Sequence, residues 1–224
     1  MTPEEADAFR ASMTDRRTCA VAIFQGKLYT PPQRSWKNTT GVCLHQTACW
    51  MGERPARYDH TQAHFVVTRA GAVIWLFDLD RETIHGNGWN TQCVGIEVDG
   101  LYPGLEDDPA TAINEALRTT WDDPTTPVRE QPMQVTEVAM ARCRDLVRWI
   151  DYEIARNDGS LHVLVAHRQA SSSRENDPGE AIWKAVALPL HAELGLTDGG
   201  IGFKIGDGYP IPQAWDPRCV GVRY

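Results

Sequence analysis

No stretch of the 224-residue chain approaches the ~18 consecutive apolar residues that a membrane-spanning helix needs, so no such helix is expected. Clusters of lysine and arginine are missing too, and 22 basic residues against 30 acidic ones leave a formal net charge of -8. A nucleic-acid or polybasic membrane partner is therefore not expected, although an acidic chain can still bind an uncharged or mixed-charge polymer in a local groove. The opening segment MTPEEADAFRASMTDRR lacks the apolar core of a secretion signal, which makes a soluble protein, cytoplasmic as synthesised, the expectation. The six cysteines are scattered with no framework spacing, and reduced thiols, most of them small core residues, are expected. Only Cys43 and Cys49 are spaced to close a loop, and then only in an oxidising compartment. There is no internal repeat and no low-complexity block.

What is present suits one sizeable core: 42% of residues are hydrophobic, and one domain is the default at this length. Thr2-Pro3-Glu4-Glu5 carries the signature of a capped helix start, running to about Met13. Segments 20–24 and 28–30 read as a short strand pair, and 41–47 as a strand. Residues 64–78 hold two strand-like runs about Arg69-Ala70-Gly71, an antiparallel hairpin. The run 93–100 is a further strand. Residues 133–157 place Val135, Val138, Cys143, Leu146, Val147, Ile150 and Ile154 near a 3.6-residue period, the clearest helix in the chain. A strand ending at His167 and a helix that Pro189 is expected to kink come next. Residues 101–133, rich in Asp, Pro and Thr, read as a surface insertion with a helical stretch at 110–121, and 197–224 as an extended, wrapping tail. The sum is an α/β (α+β) fold with a central mixed sheet of about five or six strands flanked by helices.

Two histidines end apolar strand-like runs, His45 in GVCLHQT and His167 in LHVLVAH, and Asp177 lies ten residues beyond the second. Two imidazoles and a carboxylate delivered from stiff elements suit a catalytic zinc site that keeps one position for water. The residue types alone leave this beside the ordinary reading, in which such histidines are hydrogen-bonded core or surface groups. The zinc reading requires the two strands to be neighbours. Glu97, an acid inside the apolar run CVGIEVDG, is a second point of interest. His64 is expected to be packed or hydrogen-bonded, and His60, His162 and His191 to have surface roles. Cys43 shares a strand face with His45. The serines at 171–173 lack a nucleophile elbow and read as a loop.

Six segments in order, LHQTA at 44–48, QAHFVVTRAGAV at 62–73, IHGNGWN at 84–90, VGIEVDG at 94–100, the helix 133–157 and VAHRQASSSRENDPG at 165–179, resemble the zinc-dependent type 2 N-acetylmuramoyl-L-alanine amidases. That family includes amidase-type phage lysozymes, the cytoplasmic recycling amidase AmpD and the peptidoglycan recognition proteins. The resemblance covers roughly residues 40 to 185. It implies Zn2+ held by His45, His167 and Asp177, with Glu97 as the proton-transferring acid and base. Peptidoglycan or muropeptides are the implied partners. Trp89 and Asn90 are read as groove walls for sugar or peptide, and a monomer is expected.

One position departs from the pattern. Many members have a lysine two residues before the last ligand, where it is thought to stabilise the oxyanion, and here that residue is Glu175. Arg174 could reach in from beside it, His85 could supply a proton or hydrogen bond from its loop, or the metal could act alone. The implied activity is hydrolysis of the bond between N-acetylmuramic acid and L-alanine. The alternatives are a non-catalytic peptidoglycan-binding protein of the same fold, or a zinc amidase for another amide. A recycling enzyme, a phage lysin and a secreted effector all remain open as settings.

Overall fold

The computed structural model describes residues 1–112 and 131–224. Helix α1 spans Pro3–Ala11, and its start is a capping box: the Thr2 hydroxyl accepts from Glu5 N–H at 3.2 Å while the Glu5 carboxylate accepts from Thr2 N–H at 2.8 Å. It stops two residues short of the expected end, where Ser12 donates back to the Phe9 carbonyl. Strand β1 (Thr14–Asp15) follows. Strands β2 (Ile23–Phe24) and β3 (Lys27–Leu28) form a separate two-stranded ribbon, turned by Gln25 and Gly26, both at positive φ.

The remaining strands are β4 (Gly41–Gln46), β5 (Phe65–Val67), β6 (Val73–Trp75), β7 (Cys93–Val98) and β8 (Val163–Ala166). With β1 they build one six-stranded mixed sheet in the order β1-β6-β5-β7-β4-β8. Only β5 and β6 are antiparallel, joined by the expected hairpin with Gly71 at φ +84°. β4 therefore lies deep in the sheet, parallel to β7 on one side and to β8 on the other. A strand buried this way needs apolar residues on both faces, and all of β4 is buried.

One face of the sheet is covered by helices. Helix α2 (Glu137–Arg156) is capped by the Thr136 hydroxyl, and it lays Met140, Cys143, Val147, Ile150 and Ile154 against Val42, Leu44, Val94 and Ile96. Val138, counted in the apolar stripe from sequence, is 49% exposed, because Ala139 and Met140 set the phase of the buried face. Helix α3 (Glu180–Ile182) runs through a π-helical stretch, Trp183–Ala187, into α4 (Leu188–Leu194). Pro189 has no N–H for the carbonyl four residues before it, and that carbonyl, on Ala185, accepts from Arg144 Nη1 at 2.8 Å instead.

Among the described residues the opposite face is covered by loops and short 3-10 turns. Trp89, Cys43, Cys93 and Val165 pack beneath Phe203 and Ile205 of the C-terminal segment, while Val66, Ile74 and Leu76 pack beneath Ala22 and Tyr58. Between these two small clusters lies a cavity lined by residues at the C-terminal ends of β4 and β7 and just after β8. Within the 101–133 segment, Pro109–Ala112 forms a 3-10 turn; most of the helical stretch expected at 110–121 lies outside the described residues. Among the described residues no helix is long and apolar enough to cross a membrane, and no disulfide forms.

Candidate metal centre and its cavity

Register explains why two histidines far apart in sequence meet. Leu44 on β4 pairs with Ala166 on β8, so the next residue of each chain segment, His45 and His167, emerges side by side. On the other side His45 pairs with Glu97 of β7. Asp177 returns on the loop after β8. His45 Nδ1 lies 2.9 Å from His167 Nδ1, His167 Nδ1 lies 3.0 Å from Asp177 Oδ2, and His45 Nδ1 lies 3.8 Å from the same oxygen. Zinc with bonds of about 2.0–2.1 Å places tetrahedral ligands about 3.3 Å apart. The triangle thus fits one such ion, and its donor set is the one that ion prefers.

Each of the three side chains is held by the atom it does not need for a metal. His85 donates from Nε2 to the Cys93 carbonyl at 3.1 Å, so its bare Nδ1 accepts from His45 Nε2–H at 2.9 Å. His167 Nε2–H donates to Asn87 Oδ1 at 2.8 Å, and Gln46 N–H donates to Asp177 Oδ1 at 2.9 Å. Both ring nitrogens that face the centre therefore carry lone pairs. Burial keeps the His45 imidazole neutral, at about 4, against the opposing pull of Asp177. Burial alone would raise Asp177, but its contacts with His167 and His45 hold it well below the usual carboxylate range. Those are the protonation states that metal binding requires.

A cavity of about 280 Å³ opens over the centre, lined by His167, Asp177, Glu97, Arg174, Gln46, Met51 and Gln62 among others. Glu97 Oε2 is buried with no hydrogen-bond partner among the described residues. Burial first, and the charge of Asp177 next, raise its carboxyl well above the ordinary range, with Arg174 acting in the opposite sense. Arg174 lines the cavity and Glu175 does not; the Glu175 carbonyl instead accepts from Arg168.

Four expectations from sequence are met differently. His85 has both ring nitrogens engaged and offers no free N–H to a substrate. Trp89 is 3% exposed and packs inward near Phe203, so it is a floor under the loop and no groove wall. The Asn90 side chain is spent on its own loop, accepting from the N–H groups of His85 and Gly86 at 2.9 and 2.7 Å. His191, expected at the surface, is buried and donates to the Leu164 carbonyl at 2.8 Å. His64 is fully buried, accepting from Gly95 N–H at 3.0 Å and donating to the Arg81 carbonyl at 2.8 Å. His60 and His162 are exposed.

Sequence reasoning passed over Gln46, Asn87 and Gly95. Gln46 uses its side-chain amide on the carbonyls of Tyr102, Asn176 and Pro178, which stitches the Asp177 loop to β4. A polar residue directly after a strand-end ligand was the available signal. Gly95 leaves room for the His85 ring, since a Cβ there would stand 2.6 Å from it.

A helix-covered mixed sheet with a His-His-Asp centre at the ends of its parallel strands defines an α/β protein with a donor set that suits a single metal ion. Residues 35–180 match the family model described as N-acetylmuramoyl-L-alanine amidase. The chain belongs to that family, and all three centre residues fall within the matched span. Among solved structures it is similar to peptidoglycan recognition protein-LE in complex with tracheal cytotoxin, at 15% identity and TM-score 0.51 over 84% of this chain and 97% of that one. It is also similar to human PGRP-IBETAC in complex with glycosamyl muramyl pentapeptide, at 14% identity and TM-score 0.50 over 83% and 98%. The endolysin amidase LysCS from Clostridium intestinale URNW matches at 16% identity and TM-score 0.49 over 80% and 96%. No curated protein matches the chain. At these identities the likeness is one of fold.

Proposed function

We propose that this chain is a zinc amidase that hydrolyses the bond between N-acetylmuramic acid and the L-alanine of peptidoglycan or muropeptides. The observation that carries the reading is the convergence of His45 Nδ1, His167 Nδ1 and Asp177 Oδ2 at a cavity that also receives Glu97 and Arg174. Zinc bound by this set supplies Lewis acidity toward the scissile carbonyl and acidifies a water. Glu97 takes the proton of the attacking water and returns it to the departing amine; a buried carboxylate with one unpartnered oxygen and a raised pKa suits both transfers. Arg174 places a cation at the cavity wall for the charge that develops on the carbonyl oxygen. His85, Asn87 and Gln46 hold the three ligands in position. Two proteins of this fold were solved with muropeptide-type ligands bound, which supports peptidoglycan fragments as the substrate class.

Glu175, standing where many members carry lysine, favours a second reading: a peptidoglycan-binding protein that retains the fold without turnover. Incubation of the zinc-loaded protein with a muropeptide, followed by mass spectrometry for free stem peptide, separates the two. Stem peptide that appears, and disappears with chelator or with Glu97→Gln, supports the amidase. Bound but intact muropeptide under zinc-replete conditions supports the binding protein.

A further inference from the structure

The C-terminal part of the chain gathers a second set of donors, remote in sequence from the cavity residues. Asp198 in the loop after α4, and Asp216 and Cys219 in the last segment, each present a ligand atom, and these atoms lie within 4.8 Å of one another. All three side chains are buried, at 5%, 1% and 2% exposure. A turn closed by Cys219 N–H on the Asp216 carbonyl, at 2.9 Å, brings the last two together. His191 on α4 stands beside this trio: its Nε2–H is spent on the Leu164 carbonyl, its Nδ1 accepts from Arg218 Nη2 at 3.4 Å, and its charged neighbours are Asp198, Asp216 and Arg218.

The charges of this cluster do not balance. Arg218 pairs with Asp216, at 2.6 Å from Nη2 and 3.0 Å from Nε, while its own side chain is 64% exposed. Asp198 Oδ1 accepts from Gly200 N–H at 3.0 Å, but Asp198 Oδ2 is buried with no hydrogen-bond partner among the described residues. A buried carboxylate oxygen without a donor is costly unless a cation faces it. A thiolate and two carboxylates, with an imidazole beside them, suit a borderline-soft divalent ion.

We infer that Asp198, Asp216 and Cys219 form a second, structural site for a divalent cation of the zinc class, with His191 Nδ1, once Arg218 leaves it, as the nearest further donor. A site closed by protein donors does no chemistry. Binding releases the Cys219 thiol proton to solvent, and the exposed Arg218 moves off the oxygen it shares. The ion ties α4, the loop after it and the C-terminal segment together, all beyond the residues that match the family model.

The test is zinc stoichiometry by elemental mass spectrometry after loading and desalting, in wild type and in a His167→Ala/Asp177→Asn variant that disables the cavity centre. Two ions in wild type and one in that variant are expected, with none once Cys219→Ser is added. Asp198→Asn, nearly isosteric, should keep the circular dichroism spectrum while weakening the second ion at least tenfold. In the cobalt-loaded protein, thiolate-to-metal charge-transfer absorption should survive Cys43→Ser and vanish with Cys219→Ser. One ion in wild type and none in the double variant would overturn this site and leave the amidase reading standing. One ion in both would support this site and count against the cavity centre. Cobalt absorption that follows Cys43 would also overturn it.

Discussion

His85 accepts a hydrogen bond from His45 Nε2–H at 2.9 Å, and that bond fixes which nitrogen of His45 faces the cavity. The ring of His85 is itself pinned by the Cys93 carbonyl and by its seat on Gly95. Removing it frees His45 to rotate and to change tautomer. For His85→Ala we expect zinc affinity to fall by about 10–100-fold, the usual effect of deleting such a support, as read by competition with a chromogenic chelator. Unchanged affinity would mean that strand geometry alone orients His45.

Glu97→Gln separates chemistry from folding. Glutamine keeps the shape but cannot take a proton, so kcat should drop by about 10²–10⁴-fold. Because one oxygen of Glu97 is buried without a donor, the neutral amide should leave the urea midpoint unchanged or higher. A variant that loses activity and stability together would point to a structural carboxylate instead.

Arg174 and Glu175 are neighbours with opposite exposure to the cavity, and only Arg174 lines it. Arg174→Ala should therefore lower kcat by roughly 10²-fold, the scale of losing one oxyanion donor, while Glu175→Ala leaves kcat within a few fold. Steady-state kinetics on a soluble muropeptide would decide. A KM effect without a kcat effect at Arg174 would make it a binding residue.

Much of this was legible in the sequence because periodicity and register are local. His45 and His167 each close an apolar run, and once the strands pair through Leu44 and Ala166 their meeting is forced. Helix α2 and the β5–β6 hairpin follow from spacing and from Gly71. The supports were not legible. Asn87, Gln46 and His85 act through hydrogen bonds to residues 80, 131 and 40 positions away, and no periodic signal reports such a partner. Trp89 misled because an aromatic in a Gly/Asn-rich loop looks exposed until Phe203, more than a hundred residues on, is seen packed near it.

His64 gives the fold a pH dependence of known sign. Burial, and then Arg34, hold its folded pKa well below the ordinary 6.5, so the native protein keeps it neutral while the unfolded chain takes up a proton below about pH 6.5. Stability is complete above that value and falls as the pH drops toward the folded pKa, by about 1.4 kcal/mol per pH unit for this one group. His85 and His191, also lowered by burial, add to the slope. Urea unfolding of wild type between pH 7 and 5 should show the loss, and His64→Gln should reduce it by one proton. Equal slopes in the two proteins would remove His64 from the account.

The residue after a proposed ligand is also the residue the C-terminal segment grips. Arg168 is 1% exposed, with its guanidinium 4.7 Å from the Trp215 ring and 4.9 Å from that of Tyr224, and it donates to the carbonyls of Pro210 and Glu175. Trp215 is itself fully buried against Trp183. Trp215→Ala should destabilise the fold by about 3–5 kcal/mol, as large buried aromatics do, and leave Arg168 without one of its faces. Arg168 directly follows His167, so looser packing there should reach the metal centre, and we expect zinc affinity to fall along with the urea midpoint. Arg168→Lys tests the link separately, since an ammonium cannot stack on two rings and bridge two carbonyls at once. If it weakens zinc binding while changing stability little, the tail positions the centre; if stability falls and zinc affinity holds, the tail is only packing.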